Sequence, residues 1–228
     1  MVSVVIPALN EEEPIADVVR ACAATGIPAE IIVVDNESSD RTAERARDAG
    51  ARVVRAPRGY GRACAAGVAA VSTDCDTIVF LDGDGSDCPE LMERLVHPIS
   101  QGTHDFVIGS RTRGEREKGS MNFQQVSSGY FAGLLLRVLY GVRYTDMCPF
   151  RAIRRDALLK LGMREQTYGW NIEMQMRAAR ARLRIVEVPV NHRCRTGGES
   201  KVSGTLRGTF VAGARIIATM FRVALERN

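Results

Sequence analysis

The strongest constraint on this chain is an alternation of two periods over its first 110 residues. Five short runs rich in Val and Ile, "VSVVIP", "EIIVVD", "ARVVRAP", "TIVFLD" and "DFVIGS", are separated by four helical patterns, "EPIADVVRACAAT", "SDRTAERARDAG", "GRACAAGVAAV" and "PELMERLVHPIS". Apolar runs with little alternation suit strands covered on both faces, and helices between them supply that cover. The pattern predicts an α/β fold with a mostly parallel central sheet flanked by helices. Such sheets bind ligands beyond the carboxyl ends of their strands. The informative residues are therefore those that follow the runs: Asn10 and Glu11, Asp35, Asp82 and Asp84, and Arg111.

Several function classes fall away on the same reading. The first run is followed by "ALNEEEP" rather than a G-x-G-x-x-G turn, which argues against a dinucleotide-dependent oxidoreductase. A G-x-x-x-x-G-K-[ST] loop and a G-x-S-x-G elbow are both absent. None of the six cysteines forms a C-x-x-C pair, and a structural role is expected for each of His97, His104 and His192. A net charge of +4 does not suggest nucleic-acid binding. The basic residues are unevenly chosen, with three lysines (Lys118, Lys160, Lys201) among 31, and arginine suits bidentate contact with phosphate. No run is long enough for a membrane span and no signal peptide is read, so reduced cysteines and a cytoplasmic setting are expected.

Chemistry concentrates at "TIVFLDGDGSDCPE", residues 77–90. Side chains alternate on an extended backbone, so Asp82 and Asp84 are expected to face one point just past a buried strand. Mg²⁺ and Mn²⁺ prefer oxygen ligands and commonly bind through one or two carboxylates plus substrate phosphates. Gly83 and Gly85 are expected to clear side chains from a ligand's approach. Asp35, also at a strand end, suits acceptance from ribose hydroxyls or an imide N–H.

After Ser110 the pattern loosens. A helix is expected over about 125–140, another at "WNIEMQMRAARAR" and a strand at "RIVEVPV", while "YTDMCPFRAIRRDALLKLG" carries no assignment. The polar, glycine-containing "RTGGESKVSG" reads as a mobile lid over a bound diphosphate, with Ser200 and Lys201 on phosphate oxygens. The segment 205–228 is expected as a C-terminal amphipathic helix appended to a domain of residues 1–204. At about 100° per residue, Leu206, Phe210, Ile217, Phe221 and Ala224 share one side, and Arg207, Arg215 and Arg222 another. That helix docks on its own domain or lies on an anionic membrane surface.

The ordered set "VVIPALNEEEPI", "IIVVDNESSDRT", "GYGRACAAG", "FLDGDGSDCPE", "GSR", "DMCPFRAIRRD" and "RTGGESKVSG" resembles the inverting family 2 glycosyltransferases of GT-A fold. Within them it is most similar to the dolichol-phosphate and polyprenyl-phosphate mannose or glucose synthases, over residues 2 to about 204. The resemblance implies a UDP- or GDP-linked sugar donor and a divalent metal, Mg²⁺ or Mn²⁺, on Asp82 and Asp84. It also implies donor contacts from Pro7, Leu9, Glu11, Asp35, Gly83 and Arg62, the last standing where relatives usually carry Lys. Two departures are visible: Ser86 stands where some relatives have Gln, and Val126, Ser127 and Ser128 fall where relatives often have an acceptor-binding Arg.

The implied reaction moves a sugar to an acceptor oxygen with inversion, the metal stabilising charge on the leaving diphosphate. A lipid phosphate acceptor is already an anion and needs cations to hold it. Arg111, Arg151, Arg195 and Lys201 are the candidates, by position in the family and by the guanidinium fork. A hydroxyl acceptor would need a general base, for which Asp146 and Glu173 are the candidates. Three rival readings remain: transfer to a soluble hydroxyl, a non-catalytic nucleotide-sugar binding module, and a sugar-phosphate nucleotidylyltransferase, whose Gly-rich basic loop after the first strand is missing here.

Overall fold

The structure is a computed structural model that describes residues 1–121, 123–197 and 206–226, the side chains of 123–125, 128 and 206–212 excepted. All five early runs are strands: β1 (Val2–Ala8), β2 (Glu30–Asp35), β3 (Arg52–Arg55), β4 (Thr77–Phe80) and β5 (Phe106–Ser110). Between them lie α1 (Ile15–Ala24), α2 (Thr42–Asp48), α3 (Tyr60–Ala70) and α4 (Met92–Ser100), the last entered through a 3₁₀ turn at Pro89–Leu91. Then follow α5 (Phe123–Tyr140), β6 (Arg151–Arg154), α6 (Arg155–Leu161), α7 (Trp170–Arg180), β7 (Ile185–Pro189) and α8 (Leu206–Leu225).

The seven strands form one sheet in the order β3-β2-β1-β4-β6-β5-β7. β1 and β4 are buried along almost their whole length, as their mostly apolar runs require, whereas the edge strand β3 is exposed at Arg52 and Arg55 and half-buried at Val53 and Val54 between them. Every strand pair is parallel except those of β6, which runs antiparallel between β4 and β5. β6 and α6 are the elements that carry no assignment in the sequence. Four residues with Arg at each end, "RAIR", carry no strand signal alone, and burial by two neighbours makes the strand. The chain order runs outward from β1 to β3 on one side and from β4 on the other, so a crevice opens at the carboxyl ends of β1 and β4. Register brings Ala8 level with Asp35 and Val5 level with Phe80, which aligns the loops that follow on one rim.

α8 packs on α7. The face it buries carries Thr219, Met220 and Val223, while Ile217, Phe221 and Ala224 of the predicted apolar stripe are exposed to solvent. The helix has two apolar sides, and the docked one is the stripe that the sequence reading did not pick. Among the described residues no helix is long and apolar enough to cross a membrane.

Candidate active site

A cleft of about 990 Å³ lies along the carboxyl rim of the sheet. Pro7, Leu9 and Glu11 line it from the end of β1, and Asp82, Gly83 and Asp84 from the end of β4. Arg111 follows β5, Asp146 precedes β6, and His192 and Arg195 follow β7. Elements far apart in sequence thus converge, because each strand delivers its next loop to the same edge.

The acidic turn is tightly held. Asp82 Oδ1 accepts a hydrogen bond from the Tyr60 hydroxyl at 3.1 Å, and the Asp82 main-chain N–H donates to Asp87 Oδ2 at 3.0 Å. Asp84 Oδ1 accepts from the Ser86 N–H (3.0 Å) and hydroxyl (2.6 Å), while Oδ2 lies 3.8 Å from Arg195 Nη1. Burial and the neighbouring charges of Asp87 and Asp84 push the Asp82 carboxyl well above the usual range. Burial above all, with Asp84 adding to it, pushes Asp87 up to about 7. Gly83 lines the cleft and is also closely packed from behind. A Cβ there would come within 3.2 Å of Ile15 and 3.3 Å of Ala8, so α1 and β1 close on the turn from behind.

These residues fit a divalent cation of modest protein ligation. Among the described residues no group of three or more His, Cys, Asp or Glu side chains is arranged to hold a metal, so a closed protein cage is not what the turn offers. It offers carboxylates that repel one another, with the buried Asp87 Oδ1 lacking any hydrogen-bond partner. A hard cation sharing its coordination with substrate phosphate matches that donor set.

The other predicted residues divide sharply. Arg195 spans the cleft, its Nη2 donating to both Glu11 oxygens at 2.9 and 3.0 Å. Arg111 is not a free cation: Nε and Nη2 fork onto Asp146 at 2.8 and 2.7 Å, and its main-chain N–H adds a third bond at 3.0 Å. Burial raises the Asp146 carboxyl, but the Arg111 charge and hydrogen bonds outweigh that and hold it below the ordinary range. A carboxylate so held is a poor proton acceptor.

Arg151 lies in the core at 0% exposure, donating to the carbonyls of Cys148 and Asn171 and sitting 5.9 Å over the Phe106 ring. It cannot reach an acceptor. Glu173, also at 0%, takes hydrogen bonds from the main chain of Arg164 and Glu165 and from Arg177 and Arg222, so it staples a loop to α7 and α8 rather than facing the cleft. Arg62 points away from the lining and donates to Gln166 Oε1 and to the Arg58 carbonyl. Asp35 caps its own turn through Ser38 N–H at 3.1 Å, and its neighbour Asn36 is the residue that lines the cleft. Ser200 and Lys201, and with them most of the predicted lid, lie outside the described residues.

Two lining residues, Tyr60 and Arg58, carry no sequence expectation, and His192 is expected there only in a structural role. Tyr60 supports Asp82, and Arg58, just before it, is an exposed cation on the cleft wall. His192 is buried in the lining, its Nδ1 without a hydrogen-bond partner and 3.9 Å from the equally unpartnered Asp87 Oδ1. Burial, helped by the Arg111 charge, lowers it to about 4, so it is a neutral imidazole at pH 7. Its signal was position, three residues past the end of β7, and a lone histidine does not announce that by type.

Known proteins resemble this chain over its whole length. Residues 3–162 match the family described as Glycosyl transferase family 2. An uncharacterized glycosyltransferase of Mycobacterium tuberculosis is 40% identical over 218 residues, covering 92% of this chain and 94% of that protein. The undecaprenyl-phosphate mannosyltransferase of Micrococcus luteus is 31% identical over 219 residues, covering 91% and 89%. Among solved structures, glucosyl-3-phosphoglycerate synthase from Mycobacterium tuberculosis, in complex with Mn²⁺, UDP-glucose and phosphoglyceric acid, superposes with a TM-score of 0.78 at 26% identity. That match covers 100% of this chain and 81% of the synthase.

Proposed function

We propose, from the premise that this chain belongs to glycosyl transferase family 2 and is a glycosyltransferase, that it moves a sugar, with inversion, from a UDP- or GDP-linked donor to a polyprenyl phosphate. The observation that carries the acceptor assignment is the Arg111–Asp146 fork. The two carboxylates that the sequence offered as general base are both engaged elsewhere: Asp146 by Arg111, and Glu173 inside the 164–177 staple. A hydroxyl nucleophile needs such a base, and a phosphate oxygen does not.

The donor end of the cleft is the acidic turn. Pro7, Leu9 and Glu11 would flank the nucleoside, and Asp82 and Asp84 would hold a divalent cation, Mg²⁺ or Mn²⁺. When bound, that cation supplies Lewis-acid stabilisation of charge on the leaving nucleotide. Arg195, 3.8 Å from Asp84, and the exposed Arg58 of the lining would neutralise diphosphate oxygens. Tyr60 fixes the Asp82 carboxylate, so the cation's seat is set before the donor arrives. The lining also carries Met147, Pro149, Ile172 and Ile216, apolar side chains that suit the first isoprene units of a lipid chain. The M. luteus relative named for undecaprenyl phosphate supports this reading.

A second reading has its own support. The glucosyl-3-phosphoglycerate synthase structures carry a small phosphorylated acid, and they cover this entire chain. Incubation with labelled UDP-glucose, UDP-galactose and GDP-mannose, with either a prenyl phosphate or 3-phosphoglycerate, separates the two. Organic-extractable label supports the lipid acceptor, and label confined to the aqueous phase with phosphoglycerate replaces it. Asp84→Ala should abolish turnover on either acceptor with the fold retained by circular dichroism. Near-normal activity in that variant would remove the metal role.

A further inference from the structure

α5 presents an apolar face that none of the described residues covers. Tyr130, Phe131, Leu134, Leu135, Val138 and Leu139 are 41% to 75% exposed and recur at the spacing of a single helix side. The opposite side, through Gly129, Ala132, Gly133 and Leu136, is buried, with Gly129 and Gly133 set against the main chain of Tyr144–Asp146. Monomeric soluble proteins seldom leave contiguous apolar patches of this extent, and those they leave mark contact with a protein or a membrane.

Charge decides between those occupants. The sequence holds no Asp or Glu from residue 119 to residue 145, and the two charged residues there, Arg137 and Arg143, are both exposed. α8 repeats the composition, with Ile217, Phe221 and Leu225 exposed beside Arg215 and no acid in Leu206–Leu225. A self-complementary contact gains nothing from cations of one sign on both partners. Apolar side chains among unopposed arginines match the acyl boundary and headgroups of an anionic bilayer. Both helices pack on α7 and both border the cleft: Gly119 and Ser120, just before α5, and Ile216 of α8 lie in its lining.

We propose that the exposed apolar faces of α5 and α8 form a docking surface for an anionic lipid bilayer, on which the protein lies without crossing. The inference extends the polyprenyl phosphate reading and rests on it for its purpose, since docking there brings the cleft that both helices border to the lipid phase. α5 is then the principal anchor, with α8 beside it.

The test uses the full chain and vesicles of phosphatidylcholine, alone or mixed with phosphatidylglycerol, with no prenyl phosphate in either. The wild type should sediment with the anionic vesicles and be released by salt. Phe131→Glu combined with Val138→Glu should lower that partition about tenfold or more, with an unchanged thermal melt because both side chains are exposed. Phe221→Glu should have a smaller effect. Turnover of the double variant on a short, water-soluble prenyl phosphate should persist. Three results overturn the inference: no vesicle binding by the wild type at low salt, equal binding by the double variant, or a wild-type dimer in ultracentrifugation that the double variant makes monomeric without any vesicle binding. Vesicle binding with no transfer to any prenyl phosphate supports the surface and removes the acceptor reading instead.

Discussion

Glu173→Gln separates two roles for one carboxylate. As a general base, its loss would lower turnover by about 10²–10⁴-fold and leave stability alone. The structure assigns it a different task. Glu173 Oε2 accepts from the main-chain N–H groups of Arg164 (3.0 Å) and Glu165 (2.6 Å), and Oε1 from Arg177 (2.9 Å) and Arg222 (3.2 Å). An amide must turn its NH₂ toward one of those donor pairs, and it removes the charge that two guanidiniums share. Breaking a buried ion pair costs about 3–5 kcal/mol. Arg177 keeps Glu226 and Arg222 keeps Glu165, so the low end, about 3 kcal/mol, is expected. For a chain of this length that lowers the melting temperature by roughly 6–12 °C. Gln166, in the same loop, bonds Arg62, and Gly61 meets this loop so closely that a Cβ would lie 2.2 Å from the Glu165 carbonyl. The loop therefore supports the Tyr60 side of the donor site, and donor KM should rise in the variant. The assay is thermal unfolding by circular dichroism beside steady-state kinetics at a temperature where the variant is folded. An unchanged melt with turnover lost would refute the staple and restore the base.

Arg151→Met should likewise destabilise by about 2–3 kcal/mol, because the Cys148 and Asn171 carbonyls lose their charged donor inside the core; a raised acceptor KM with an unchanged melt would contradict this. The pH dependence of stability follows from Asp87, whose folded value of about 7 stands above its ordinary 3.8. Between those values the folded chain holds a proton that the unfolded chain has lost, so stability is greatest below about pH 4 for this group and falls as pH rises through 7. Mn²⁺ competes with that proton, so the rise in melting temperature on adding Mn²⁺ should be larger at pH 8 than at pH 6, and an increment that shrinks over this range would speak against cation binding at the turn. Of the six cysteines only Cys194 is exposed, so a thiol reagent should titrate one equivalent in the native protein and six after unfolding.

What could be read in advance depended on whether a residue's role is set locally. The place of Asp82 and Asp84 in the cleft lining was legible because both follow a strand end in one short segment. The arginines were not, since a guanidinium's partner is chosen by tertiary placement. Arg111 meets a carboxylate 35 residues away, and Arg151 bonds the Asn171 carbonyl 20 residues on. Glu173 and His192 fail for the same reason, the first being claimed by four donors and the second by a position beyond a strand. The docked face of α8 was ambiguous in principle. Ile216, Met220 and Val223 form one apolar stripe and Ile217, Phe221 and Ala224 another, and periodicity alone does not say which meets α7.

The single inverted strand explains how the acceptor side of the cleft is built. β1, β4, β5 and β7 deliver to the rim the residues that follow them: Glu11, Asp84, Arg111 and Arg195. β6 runs the other way, with Arg151 level with both Phe80 and Ile108, so it is the residues before it that reach the same rim. Asp146, Met147 and Pro149 arrive there for that reason, and Asp146 falls within reach of Arg111. Inversion has a second consequence. The chain leaves β6 on the far side of the sheet, and the 164–168 loop must return to the rim to supply Thr167 and Tyr168. No strand carries it there. Its position depends on the main-chain bonds to Glu173 and on the Thr219 and Arg222 contacts to Glu165, which makes α8 a part of the cleft's support. A bilayer that engages α8 therefore touches the element that holds one wall of the site.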